Sequence, residues 1–278
     1  MVKILGTDNA WSTEFGLQKY GAHELVFFRS LVSFVVSAWI IKRRKLPFWG
    51  NNKKWLLIRG VAGVAALTIF FFTIQNLPIA VATIVQYMSP IFTIALAILF
   101  LGEKIFKIQW LFILMAFGGV LLMGLNNLID PNTEISTLWV GLGILSAFGS
   151  AIAYFAIVKL KDTDTPIHVV LYFPMLAIPI TGVWCMYDFV WPNGIEWLIL
   201  LVIGLFTQMA QITMTRAFHT ESASAIVPFQ YLGAIYAFVI GFFAFDETLN
   251  WLIYVSLVLI FIGVIGNVVL RSKMKTNQ

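Results

Sequence analysis

Charge is what this chain has least of. Charged residues occupy 11% of its 278 positions, against roughly 25% in an ordinary soluble domain. That is too little to coat a water-facing surface, so water-soluble folds are excluded, and soluble enzymes with them. Cysteine is nearly absent: Cys185 stands alone inside an apolar segment. An intrachain disulfide and a cysteine-based metal cage are ruled out, and Cys185 reads as a small core residue. There is no His-Glu-x-x-His pair, no cluster of intramembrane aspartates and no nucleophile beside a base, which leaves a membrane-embedded enzyme without machinery. No cofactor is expected. Long polar connections are missing as well. The longest run to about a dozen residues, too short for a binding domain, so an assembly protein is disfavoured.

What the chain has is apolar length. Sixty per cent of it is hydrophobic (60% in all) and the mean hydropathy is +0.90, enough for eight or nine spans of about 20 residues. Nine runs are predicted as helices: 24–41, 55–75, 78–101, 108–125, 138–158, 167–187, 197–215, 223–245 and 251–270. Lys and Arg gather in alternate connections. Lys42, Arg43, Arg44, Lys45, Lys53 and Lys54 follow the first run, Lys104 and Lys107 the third, Lys159 and Lys161 the fifth, Arg216 the seventh, and Arg271, Lys273 and Lys275 the last. The connections between hold Asp130, Glu134, Asp188, Glu196, Asp246 and Glu247 instead. By the positive-inside rule the basic loops and the C-terminus are cytoplasmic. The net charge of +5 and the pI of 9.3 are thereby explained without nucleic acid. Trp55, Trp110, Trp139, Trp197 and Trp251 open runs, and Trp39 and Trp184 lie near the ends of two. These are headgroup-level anchors.

Nine spans with a cytoplasmic C-terminus put the N-terminus outside, although residues 1–22 show no signal-peptide pattern. Met1 to Leu5 read as the tail of a helix. The expectation is that Met1 is an internal or artificial start and that the full pattern has ten helices. Upstream coding sequence without an apolar stretch of about 20 residues would rule this out.

The two halves share an order of features. Ala80-Val81-Ala82-Thr83-Ile84-Val85 precedes a helix ending Leu101-Gly102-Glu103, and Phe117-Gly118-Gly119-Val120 follows. Ser222-Ala223-Ser224-Ala225-Ile226-Val227 precedes one ending Phe245-Asp246-Glu247, and Phe261-Ile262-Gly263-Val264 follows. Glu103 and Glu247 are as far apart as Phe117 and Phe261, while the helix starts need a two-residue gap. Because the charge rule puts the Glu103 loop inside and the Glu247 loop outside, the repeats are inverted in the membrane.

With these features on the page, the chain resembles the drug/metabolite transporter superfamily, in particular its EamA-type members with two five-helix repeats. The resemblance covers nearly the whole chain. It is carried by HELVFFRSLVS at 23–33, by the Ala80/Ala82 helix start with Tyr87-Met88-Ser89-Pro90, by LGEK at 101–104 and by the paired Phe-x-Gly-Val turns. It implies an all-α polytopic membrane protein with repeats at 1–130 and 131–278, the first lacking most of its first helix. It also implies a substrate cavity between the repeats, and export or exchange of amino acids, nucleotide-derived metabolites or drugs.

A carrier needs polar groups at mid-depth on inward-looking faces, because a polar group facing lipid costs several kcal/mol unless paired. Gln208, Gln211 and Thr215 recur at helical spacing, as do Thr83, Gln86, Tyr87 and Pro90, and Ser146, Ser150 and Tyr154; the second repeat adds Gln230 and Tyr231. These four helices are expected to share a cavity. Interhelical hydrogen bonding is the other use for such groups, and it is the reading taken for the serines. For the four glutamines both uses stay open. Pro90 is expected to kink its helix. Gly60 and Gly63, Gly118 and Gly119, Gly141 and Gly143, and Gly263 and Gly266 mark close helix approach. Phe229, Tyr231, Tyr236 and Tyr254 favour a cavity for an apolar or planar solute. Arg29 and Arg59 are the only cations inside runs, and the simpler reading has both snorkel to the nearer interface. The alternative has Arg29 bind a substrate carboxylate or pair with Glu24, with Arg59 in the matching role inside. No Asp, Glu, Lys or His falls at mid-depth, so no midplane proton relay is visible.

The expected function is a secondary transporter, exporter or exchanger, of small organic metabolites by alternating access, with a channel or facilitator as the alternative. The candidate substrate-binding residues are Gln86, Tyr87, Tyr154, Gln208, Gln211, Gln230, Tyr231 and Arg29, with no metal site. The expected partners are a small-molecule solute and the lipid bilayer of a bacterial inner (plasma) membrane.

Overall fold

Apolar runs of this length form helices because lipid offers the backbone no hydrogen-bond partner outside the segment itself. A computed structural model describes residues 16–77, 79–103, 105–125, 136–236, 239 and 251–276. Its helices are α1 (Ala22–Arg43), α2 (Lys53–Asn76), α3 (Ile79–Gln86), α4 (Ser89–Leu101), α5 (Lys107–Leu125), α6 (Thr137–Lys159), α7 (Pro166–Cys185), α8 (Glu196–Thr220), the single turn α9 (Ala223–Ile226) and α10 (Trp251–Thr276). A 3₁₀ turn spans Val227–Tyr231. Among the described residues, six segments are long and apolar enough to cross a membrane; shorter apolar helices cover Lys107–Leu122 and Tyr254–Leu270. Val35, Leu99, Leu138, Phe206 and Met209 are each more than half exposed, as lipid-facing side chains are. The expectations about Met1 to Leu5, Lys104, Asp130, Glu134, Asp246 and Glu247 lie outside the described residues.

Two of the predicted runs are broken, and for the same reason. The run at 78–101 is two helices, α3 and α4, separated at Tyr87-Met88. Pro90 sits in the first turn of α4, where its missing N–H costs nothing. It therefore starts a helix and does not kink one. The run beginning at 223 is likewise a turn of α-helix followed by a 3₁₀ turn with Pro228 at its start. Gln86-Tyr87 and Gln230-Tyr231 close the two broken pieces, and they have the same separation as Glu103 and Glu247. Each half thus carries the same dipeptide at or just after its break.

The chain divides into two compact units, each drawing on both sequence halves. Unit 1 comprises residues 1–64 and 156–220. In it α1 packs on both α7 and α8, around Leu25, Phe28, Leu200 and Ile203 towards one end and Ile41, Ile167 and Leu171 towards the other. At the first end, Tyr20 donates from its hydroxyl to Glu196 at 2.6 Å, and the Glu24 carboxylate accepts from the Gly21 and Val190 amides. At the second end Asp164 accepts from the Asn51 and Asn52 amides at 2.6 and 3.0 Å. The connection carrying Lys42 to Lys54 is thus beside the one carrying Lys159 and Lys161, as the charge pattern requires.

Unit 2 comprises residues 65–155 and 221–278. Its core joins α5 and α10 around Ala116, Val120, Ile260 and Val264, with Tyr231 and Ala234. The two helices touch backbone to backbone: a Cβ on Gly263 would stand 2.6 Å from the Ala116 nitrogen and the Phe112 oxygen. Of the pairs expected at such approaches, Gly118 and Gly141 have nothing within 4 Å of a Cβ position, while Gly119 and Gly143 make the contacts, because each step along a helix turns its face by about 100°. α4 ends at Gly102 in the left-handed conformation (φ 64°), which glycine adopts without steric cost. That turn presents Glu103, whose carboxylate accepts from the amides of Ala223 and Ser224 at 2.9 and 3.2 Å.

Candidate functional site

The two broken helices of unit 2 border a cavity of about 400 Å³, within the size range of small-molecule sites. Thr83 and Gln86 reach it from α3, Tyr87 from the break, Ser89 and Pro90 from the start of α4, and Phe70, Tyr154 and Gln230 complete the wall. Gln86 is held from behind. Its side-chain nitrogen donates to Ser150 Oγ at 3.0 Å, and Ser146 Oγ lies 3.2 Å from its oxygen while donating to the Ala66 carbonyl at 2.8 Å. The serines therefore tie helices together, and the glutamine both ties and lines. Tyr87 stacks on Tyr231 with ring centroids 5.9 Å apart and planes at 30°, and Phe117 backs Tyr231 at 6.4 Å. Ser89 Oγ, Gln230 Nε2 and Tyr231 Oη are buried with no hydrogen-bond partner among the described residues. Two of the three belong to wall residues, so the cavity offers unused polar contacts.

Unit 1 holds a second, much tighter pocket of about 10 Å³, room for about one water. Arg29, Ser30 and Ser33 of α1 meet Phe173 of α7 and Gln208 and Gln211 of α8 there. Gln208 donates to Ser37 Oγ at 2.8 Å, while Arg59 donates from Nη2 to Gln211 Oε1 at 3.2 Å. The guanidinium carbons of Arg29 and Arg59 lie 5.4 and 5.9 Å from the centre of the Phe173 ring. This corrects the snorkelling expectation. Arg29 is the eighth residue of α1 and Arg59 the seventh of α2, and each turns to an aromatic face, a favourable partner for a cation out of water. The Glu24 pairing is also absent, because both Glu24 oxygens serve backbone amides.

The eight predicted residues thus fall into two sets. Gln86, Tyr87, Tyr154 and Gln230 line the unit 2 cavity with Tyr231 stacked behind Tyr87, whereas Arg29, Gln208 and Gln211 line the unit 1 pocket. Phe229, Tyr236 and Tyr254 are exposed and line neither; helical phase turns them outward. Sequence reasoning missed Ser30, Ser33 and Ser37, whose spacing already marks one face of α1. It also missed Ser89 and Phe173, for which no pattern gave a signal.

The EamA-like transporter family model matches residues 10–125 and 137–269. The chain belongs to the EamA-like transporter family. This transporter is 32% identical over 252 residues to the pseudopaline exporter CntI of Pseudomonas aeruginosa, covering 88% of this chain and 85% of that one. It is 26% identical over 258 residues to solute carrier family 35 member G1 of Mus musculus (84% and 67% covered). It is 24% identical over 233 residues to the S-adenosylmethionine uptake transporter of Rickettsia prowazekii (81% and 75%). A solved crystal structure shares its fold, with a TM-score of 0.74 at 17% identity and 88% of each chain covered. This EamA-like transporter is therefore an integral membrane protein that moves a small-molecule solute, and its relatives are transporters, not enzymes.

Proposed function

We propose that this transporter is a secondary carrier of small organic metabolites, exporting or exchanging them by alternating access, with the solute held in the unit 2 cavity. The observation that carries this reading is the pair of interrupted helices beside that cavity, each with a Gln-Tyr dipeptide at or just after its break. Discontinuous helices at a repeat-related position are where carriers of this general design place their solutes, because a broken helix exposes backbone groups only where they line a cavity. The wall of amides, hydroxyls and tyrosine rings suits a neutral or zwitterionic solute with a planar or apolar part. The names of the relatives, pseudopaline and S-adenosylmethionine transporters, support metabolites of that size. The basic connections support a cytoplasmic C-terminus; in this reading the protein sits in a bacterial inner membrane, with 1–130 and 131–278 as the inverted repeats.

The test is uptake into proteoliposomes preloaded with a mixed metabolite pool, against labelled amino acids, nucleosides and S-adenosylmethionine. Saturable uptake stimulated by internal solute and reduced at least about tenfold in Gln86→Ala supports the carrier; a tenfold loss corresponds to about 1.4 kcal/mol. Flux that rises without saturation and shows no counterflow makes it a channel instead.

A further inference from the structure

The unit 1 pocket is absorbed by no part of that reading, and its chemistry is of another kind. Arg29 lies well inside α1, and no carboxylate among the described residues pairs with it. Its Nε has no hydrogen-bond partner there. Two further pocket atoms share that state: Ser30 Oγ, on a residue 1% exposed, and Gln208 Oε1, on a residue 2% exposed. Arg29 as a whole is part-buried, but its Nε is withdrawn from solvent, and a cation inside a membrane span is costly unless a counter-charge or strong acceptor compensates it; the Phe173 face supplies at most about 2 kcal/mol of that. What is lacking is an anion with hydrogen-bond acceptors. Arg59, on the same ring, adds a second positive charge nearby.

We propose that Arg29 and Ser30, beside Gln208, form a receptor for a single carboxylate group of a small organic acid or amino acid. The guanidinium supplies charge and paired N–H donors, which match a carboxylate in a way an ammonium does not. Ser30 Oγ supplies a third donor. Gln208 presents only its acceptor oxygen, since Nε2 is fixed to Ser37; it gives the carboxylate no donor and serves instead to accept from the ammonium of an amino-acid ligand. The pocket of about 10 Å³ holds about one water as it stands, so the proposal requires α1 and α8 to part when the group enters. This inference does not rest on the carrier reading, because binding is measured without transport.

The experiment uses the full chain, purified in detergent, and follows the midpoint of thermal unfolding at fixed ionic strength. The probes are acetate, lactate, succinate and glutamate, each beside its neutral amide. A ligand that binds only the folded state raises the midpoint with concentration. The acids are expected to raise it and the amides are not; Arg29→Gln weakens the apparent affinity about thirtyfold or more, Ser30→Ala less, and Arg29→Lys retains part of the response. Gln208→Glu, which supplies a carboxylate in place, is expected to raise the resting midpoint and abolish the response to acids. Equal stabilisation by amides and acids, or an unchanged acid response in Arg29→Gln, overturns the proposal. Should Arg29→Gln fail to fold, Gln208→Glu still decides, since a response to acids equal to that of the unmodified chain overturns it too.

Discussion

Tyr87 and Tyr231 stack ring on ring, 5.9 Å between centroids, although they come from opposite halves of the chain. Tyr231 is fully buried and its hydroxyl has no partner among the described residues; Tyr87 faces the cavity. One ring is the support and the other is the wall. Tyr231→Phe keeps the stack and removes an unsatisfied hydroxyl, so stability is expected to be unchanged or slightly higher. Tyr231→Ala empties a core position and is expected to cost about 3–5 kcal/mol, read as denaturant unfolding of the detergent-solubilised protein. Equal losses for both variants would show that the hydroxyl, and not the ring, is what matters.

Glu103 accounts for two backbone donors that no helix supplies. The residues it serves, Ala223 and Ser224, are 0% and 2% exposed, so their amides have no water to fall back on. Glu103→Ala is expected to cost about 1–3 kcal/mol, and Glu103→Gln less, because its one oxygen still accepts. The check is thermal unfolding of the three proteins side by side, and an unaltered midpoint in Glu103→Ala contradicts the capping role.

Neighbouring glycines separate packing from permissiveness. Gly263→Ala puts a methyl 2.6 Å from backbone atoms of α5 and is expected to destabilise by about 1–3 kcal/mol. Gly118→Ala meets nothing within 4 Å and is expected to be neutral or stabilising by up to about 1 kcal/mol through helix propensity and a less mobile unfolded chain. Denaturation midpoints that move in the same direction for both would refute the distinction.

Much of this was legible from the residues. Runs of Leu, Ile, Val and Phe gave the helices, and alternate basic connections gave their ends, since Asp164 and Asn51 bring two of those connections together. The repeated Gln-Tyr pair pointed at the cavity, and Tyr154 joined it by helical spacing. Periodicity gives the face of a helix but not the neighbour that the face meets. So Gln208 and Gln211 were grouped with Gln86 and Gln230, although a different unit holds them. The breaks at Tyr87 and Val227 were hidden because apolar composition reads the same through a break. Arg59 meeting Gln211, or Glu103 meeting Ala223, joins residues more than a hundred positions apart, beyond any local pattern.

The end of unit 1 that carries Tyr20 should be sensitive to alkali. Burial, and then the hydrogen bond to Glu196, raise the Tyr20 pKa above its ordinary value of about 10. The folded state therefore holds the phenol proton after the unfolded chain has lost it. The stabilisation is fully present below about pH 10 and declines as pH rises from there towards the raised folded value. Tyr20→Phe is expected to flatten that alkaline decline in the unfolding midpoint; an unaltered decline would assign it to other groups.

The central claim, that the solute occupies the unit 2 cavity, is tested most directly by protection from labelling. Cys185 is the only cysteine, so Cys185→Ser gives a background into which Thr83→Cys is placed at the cavity wall and Met186→Cys at an exposed helix end. The rate of maleimide labelling is measured with and without a saturating concentration of the solute that proteoliposome uptake identifies. The account predicts that solute slows labelling at position 83 severalfold and leaves position 186 unchanged. Labelling at position 83 that is indifferent to a solute whose transport still saturates would contradict it.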